Sequence, residues 1–254
     1  MSLTDKAIAR IRELILTGEL RPGSRLPPEH QLAAELGVGR NLMREAVKAL
    51  VVARVLEVRR GTGTYVTSLE PELLLEGVGV AVELLQGHTV LEVTEVRRLF
   101  EPVATSLAAS RISAEQLRAV KGHLDAMREA REDIELLNEH DAAFHRAVLA
   151  ATGNRTLSTL LDGVSSQTLR ARVWRGLVDD NAARRTLAEH EAIYSALAAG
   201  DPALAHAAAL LHVATTETWL RAHLEDGGPE TGGPETGGPE TGGPETGGPD
   251  GEDS

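Results

Sequence analysis

The chain has 254 residues, a formal net charge of −12, 42% apolar but only 2% aromatic residues, and no cysteine. Disulfides and thiolate metal sites are thereby excluded, and a core left to Leu, Ala and Val favours helix packed on helix over a sheet-rich fold. No apolar run reaches membrane-spanning length and the N-terminus lacks a signal-peptide layout, so a cytoplasmic protein with no membrane partner is expected.

The net charge hides an uneven distribution. Residues 1–69 carry 11 Lys and Arg against 7 Asp and Glu, residues 70–224 carry 15 against 22, and residues 225–254 carry none against 9. A polyanion is drawn to the first segment and repelled by the rest.

In the first segment, Thr4 is placed to cap a helix with apolar positions Ala7, Ile8, Ile11, Leu14 and Ile15, spaced three and four apart. Gly18, Pro22 and Gly23 break it. Pro27-Pro28 opens a second helix, since proline is tolerated in a first turn. Gly37-Val38-Gly39 turns the chain into a third helix from Arg40 to Ala53. Val55–Arg59 and Thr64–Val66 read as strands, joined at a tip of Arg60-Gly61-Thr62-Gly63. One helix braces, the next offers polar groups to the major groove, and a hairpin follows. This order predicts a winged helix-turn-helix domain over residues 1–67. The Gly61-Thr62-Gly63 run also suggests a phosphate loop, but no helix follows it, as that motif requires.

Residues 68–225 read as all-helical, with apolar patterns near 72–86, 89–110, 113–134, 136–152, 154–175, 181–199 and 201–224. Breakers stand at Gly87, Ser113, Gly153-Asn154 and Gly200-Asp201-Pro202. The expected fold class is mainly α: the winged head, an all-α bundle of about seven helices, and a tail. The tail, 226–254, repeats Gly-Gly-Pro-Glu-Thr, has nothing apolar to bury, and is expected to be disordered and acidic. A solvated tail is the plain reading, and competition with DNA for the basic head is the sharper one.

Arg40 and Arg44 stand one turn apart near the start of the third helix, where a guanidinium can bond guanine O6 and N7 together. Asn41 suits adenine or a phosphate. Arg60 and Gly61 at the hairpin tip suit the adjacent minor groove, where glycine permits close backbone approach. Lys48, Arg25 and Arg21 are candidates for phosphate contacts. The competing reading, a merely solvated helix face, leaves the ordered helix, turn, helix and hairpin unexplained. In the helical part, Asp141 and His145 share one helix face and can bind one ion. Asn154 is placed to cap a helix.

The residues that carry a family resemblance are Ile15 to Gly18, Leu20-Arg21-Pro22-Gly23, Leu26-Pro27, Glu29, Leu32-Ala33, Leu36-Gly37-Val38, Arg40, Arg44-Glu45-Ala46 and Gly61 to Val66. Over residues 5–67 the chain resembles the winged helix-turn-helix of GntR-family transcription regulators, and its helical remainder is similar to the ligand-binding domain of the FadR branch. Three positions depart from the family pattern: Pro28 and Gly39 replace small or serine residues, and His30 stands where an arginine normally touches DNA. The departure at His30 bears on which operator is read.

The resemblance implies that Arg40 and Arg44 read bases, and that His190 and His212 join Asp141 and His145 around one ion. One carboxylate and three imidazoles suit Zn²⁺, Ni²⁺ or another divalent transition metal. Each histidine alone also fits a hydrogen-bonded core residue. Arg97 matches a position that lines the effector pocket in relatives and could grip an organic acid; a surface ion pair with Glu101, four residues on, is the alternative. The implied protein is a homodimer on a double-stranded, pseudo-palindromic operator, acting as a repressor under control of a small carboxylate effector. Two other readings stand beside it: a regulator for which the ion itself is the signal, and a metal-dependent enzyme, against which no general base stands in motif context.

Overall fold

The computed structural model describes residues 2–84, 89–179 and 181–224. Helix α1 (Leu3–Leu16) is capped by Ser2, not Thr4. Ser2 Oγ accepts from the Asp5 N–H at 3.0 Å, and the Asp5 carboxylate accepts from the Ser2 N–H at 2.7 Å. This reciprocal box needs an acid or amide three residues after the cap; Ser2 has Asp5, whereas Thr4 has Ala7. Helix α2 (Glu29–Glu35) starts after the two prolines expected to open it, with Pro28 extended at the cap position. Gly37, in the left-handed region at φ +63°, turns the chain towards α3 (Arg40–Val52). Strands β1 (Leu56–Arg59) and β2 (Gly63–Val66) pair antiparallel, Leu56 opposite Val66 and Arg59 opposite Gly63. Ile11, Leu32, Met43, Leu56 and Val66 meet in one apolar core beneath these elements.

The remainder comprises α4 (Pro71–Leu74), α5 (Gly77–Leu84), α6 (Thr89–Ala109), α7 (Ala114–Glu129), α8 (Ile134–Ala151), α9 (Arg155–Ser165), a 3₁₀ turn at Ser166–Thr168, α10 (Leu169–Val178), α11 (Ala182–Ala199) and α12 (Pro202–Leu224). The longest helices pack pairwise, α6 along α12, α7 against α8, and α11 against α12. Leu124, Met127, Phe144, Ile193 and Leu197 fill a second core, separate from that of the head. Two expected helices are each split: 72–86 into α4 and α5, and 154–175 into α9 and α10. The second split arises because Thr168 is buried and bonded to the Ser165 carbonyl, which closes a tight turn. Asp133 caps α8 through the Leu136 N–H, so α7 ends at Glu129, short of the expected 134. Asn154 caps α9 as expected.

The junction between the parts is charged. Arg155, at the start of α9, donates from three nitrogens to the carboxylates of Glu70 and Glu72 at 2.7–3.0 Å. Arg54 reaches Glu76 at 2.9 Å. Among the described residues no helix is long and apolar enough to cross a membrane. His88 and the acidic tail lie outside the described residues.

Candidate functional site

Helix α3 buries Met43, Ala46, Val47 and Leu50 and turns Arg40, Asn41, Arg44 and Lys48 to solvent. Arg44 lies 3.5 Å from Glu29 of α2, and Lys48 is 2.9 Å from Glu45. Among the described residues Arg40 has no ion-pair partner. Exposed pairs of this kind contribute only about 0–1 kcal/mol, so these cations exchange easily onto a phosphate or base. Arg60 and Gly61 stand exposed at the hairpin tip, and His30 and Arg21 are exposed as well. Arg25 is laid against the wing: a Cβ at Gly63, which has φ +122°, would fall 2.8 Å from Arg25 Nε. Glycine there keeps the guanidinium in place.

The second cluster is buried. Asp141 and His145 come from α8, His190 from α11 and His212 from α12, and one ligand-type atom from each lies within 4.8 Å of all the others. Asp141 Oδ1 is 2.8 Å from His190 Nε2 and 3.8 Å from His145 Nε2. None of these three atoms makes a hydrogen bond. The opposite ring nitrogens are anchored: His190 Nδ1 lies 2.7 Å from the Thr186 carbonyl, and His212 Nδ1 lies 2.9 Å from the Glu189 carboxylate. Such outer partners fix a ring's tautomer and orientation and leave Nε2 for the centre.

Burial pushes His190 and His212 down to about 4 and His145 well below the ordinary imidazole range. The rings are therefore neutral at neutral pH, the state in which imidazole binds a metal. A buried polar atom without a partner costs about 1–3 kcal/mol. Three such atoms facing one point form an arrangement that a cation satisfies, and the donor set fits a divalent transition metal. Of the remaining described histidines, His123 and His140 face each other at 6.3 Å and His223 stacks on Trp219 at 4.1 Å, away from this cluster.

Arg97 pairs with Glu101, as in the alternative reading, but inside the protein and not on its surface. It is 1% exposed; Nε and Nη2 reach Glu101 at 2.6 and 3.2 Å, and Nη1 donates to Thr168 Oγ1 at 2.8 Å. Glu101 also accepts from Ser165 Oγ at 2.7 Å. Burial pushes the Glu101 carboxyl up, but the Arg97 charge and these hydrogen bonds outweigh it and hold it well below the carboxylate range. All three Arg97 nitrogens are thus engaged.

Two arginines missed in the sequence also border the cluster. Arg172 Nη1 donates to Asp141 Oδ2, and burial pushes its guanidinium down to about 9, still charged at neutral pH. Arg175 Nη1 donates to Thr216 Oγ1 at 3.0 Å. Both line a cavity of about 160 Å³ together with Asp141, Thr186, His212 and Thr216. A hint existed: Arg172 has no acid three or four residues away to hold it at a helix surface.

Comparison with known proteins agrees with this layout. Residues 3–66 match the model for "Bacterial regulatory proteins, gntR family", and residues 92–215 match the FCD domain. The transcriptional regulator LutR of Bacillus subtilis is 34% identical over 218 residues, covering 84% of this chain and 99% of the relative. The galactonate operon transcriptional repressor of Escherichia coli is 30% identical over 227 residues, covering 87% and 98%. Among solved structures, a GntR protein of Streptococcus agalactiae superposes with a TM-score of 0.64 at 28% identity, covering 85% and 99%. These relatives are regulators and not enzymes. The chain belongs to the GntR family of transcriptional regulators, with a DNA-binding winged helix-turn-helix followed by an FCD effector-binding domain.

Proposed function

We propose that this regulator is a homodimeric repressor, cytoplasmic, whose hold on a pseudo-palindromic operator is set by a small carboxylate effector bound beside a divalent metal ion. Residues 1–67 read DNA, residues 68–225 bind effector and partner subunit, and 226–254 form an acidic tail. The observation that carries the reading is the convergence of Asp141 Oδ1, His145 Nε2 and His190 Nε2, buried and unbonded, with His212 beside them. Zn²⁺ is the ion favoured, because it accepts one carboxylate and three imidazoles without a geometric preference of its own; Ni²⁺ competes for the same set. The ion supplies a positive pole for an acid.

In the head, Arg40 and Arg44 read bases, Asn41 supports them, and Arg60 with Gly61 enters the minor groove. Lys48, Arg25 and Arg21 neutralise phosphates. His30 is a shorter substitute for an arginine contact. The homodimer is supported by a stripe on α6, where Val96, Leu99, Phe100 and Val103 follow helical spacing and are 37–57% exposed. A carboxylate effector accords with the name of the galactonate operon relative. Arg97 serves by holding Glu101 and the Ser165–Thr168 turn beside the site. An effector moves the heads only by binding one arrangement more tightly than the other.

The test pairs metal analysis with operator binding. The purified chain is expected to carry a transition metal that His145→Ala/His190→Ala lacks, and to shift one genomic fragment preferentially at moderate salt. Equal metal in both proteins defeats the ion site, and absence of any preferred fragment defeats the regulator. Titrating operator affinity with metal, with and without small acids, separates an effector at the ion from the ion as signal.

A further inference from the structure

Arg175 stands out among the buried polar groups. Its Nη1 is satisfied by Thr216, but Nε and Nη2 are both buried and make no hydrogen bond. These two nitrogens form one straight edge of the guanidinium, the edge that matches both oxygens of a carboxylate. Among the described residues no carboxylate occupies it. Asp179, four residues on, is taken by Arg185, and Asp141 is taken by Arg172. Burial lowers the Arg175 pKa against the opposing charges of Glu189 and Asp179, and the guanidinium lies over the Trp219 ring at 5.9 Å.

The position of this edge is fixed by α12. Thr216 lies one turn beyond His212 on α12, about 5.4 Å along that helix, and its hydroxyl holds Arg175 on that side of the histidine cluster. Arg175, Asp141 and His212 line the same cavity. At about 160 Å³ it is smaller than the roughly 300–1,000 Å³ that drug-sized ligands occupy, so acyl chains and nucleotides do not fit.

We infer that Arg175 is the carboxylate receptor of the effector cavity, and that the ligand is a short acid carrying a second oxygen donor, a hydroxyl or another carboxylate, turned towards the Asp141/His145/His190/His212 cluster. This rests on the reading of the helical part as the effector domain. Arg97 holds Glu101 and the turn preceding α10. Arg175 grips one end of the ligand, and the cluster selects for an oxygen at the other.

The experiment is calorimetric titration of the full chain with L-lactate, L-malate, succinate, propionate and the neutral L-lactamide. Metal content and thermal midpoint are recorded for each protein. Wild type is expected to bind at least one acid with a second oxygen, to bind propionate more weakly, and to ignore L-lactamide. Arg175→Lys keeps the charge and loses the fork; it is expected to bind the same acid at least about tenfold more weakly, with unchanged metal content. Arg175→Met is expected to bind none, and Arg170→Lys, an exposed change on the same helix, to behave as wild type. If Arg175→Met does not fold, Arg175→Lys decides. Equal affinity in Arg175→Lys, equal binding of propionate, binding of L-lactamide, or no binding of any of these acids by wild type overturns the inference. Operator binding is measured separately without acid. Lost operator preference with intact, Arg175-dependent acid binding sinks the regulator alone, and the reverse outcome sinks the acid receptor alone.

Discussion

The winged head keeps its charges exposed, whereas the helical part also buries a set of them. In the head, Arg40, Arg44, Lys48 and Arg60 are exposed, and the described buried residues up to Thr67 are apolar apart from Thr67 itself. In the helical part, Arg97, Glu101, Asp141, Arg175, His190 and His212 are buried. Exposed cations keep their hydration until a polyanion arrives, so they bind a long, repetitive partner with many small contributions. Buried ones are desolvated during folding and held rigid, so they suit one small partner of fixed shape. The same residue types occur in both parts, and solvent decides which kind of partner they suit.

The contrast can be broken by experiment. The largest effect expected is with pH, in protein stripped of metal. His190 and His212 sit at about 4 in the fold against an ordinary 6.5, because burial penalises their charged forms. Their folded values are depressed, so the unfolded chain takes up protons first. The stability is therefore present above about pH 6.5 and lost as pH falls through about 4, on the order of 3 kcal/mol for each histidine at full effect. Denaturant melts across this window, flat with pH, would contradict it. Glu101→Ala comes next: it strands Arg97 in the interior and is expected to cost about 3–5 kcal/mol in the same assay. Its counterpart in the head, Glu45→Ala beside Lys48, is expected to change stability by less than about 1 kcal/mol. Similar losses in the two variants would erase the distinction between the parts.

Arg44→Ala is expected to weaken operator binding by about 1–3 kcal/mol and to relax preference at one base pair, leaving the melting curve unmoved; fluorescence anisotropy on operator variants reads both. The smallest of these stability losses beyond Glu45 is that of Asn154→Ala, about 1 kcal/mol, because only the cap on the Leu157 N–H is removed.

How much of this was legible depended on the range of the interactions. The head is written locally: the Gly37 turn, the apolar spacing of α3 and the glycines of the wing each act within a few residues. Asp141 and His145 were legible for the same reason, one turn apart on one helix. His190 and His212 came only through the family resemblance, since packing of α11 and α12 against α8 brings them in. Arg97 shows the limit most clearly. Its pairing with Glu101 is a matter of spacing, but its burial is set by Thr168, 71 residues away. Arg172 and Arg175 were missed because their partners, Asp141 and Thr216, lie 31 and 41 residues off. The split between α9 and α10 has no proline or glycine to announce it; a buried threonine hydroxyl makes it.

The Arg155 joint with Glu70 and Glu72 has a practical consequence. Its three side chains are about half exposed, so mobile ions screen it as they screen the contacts between the head and phosphate. Any influence of this joint on how the head is presented adds to the fall of operator affinity with rising salt. The slope of that fall then counts more charges than the DNA interface holds, and Glu70→Gln/Glu72→Gln measured at two ionic strengths gives the correction.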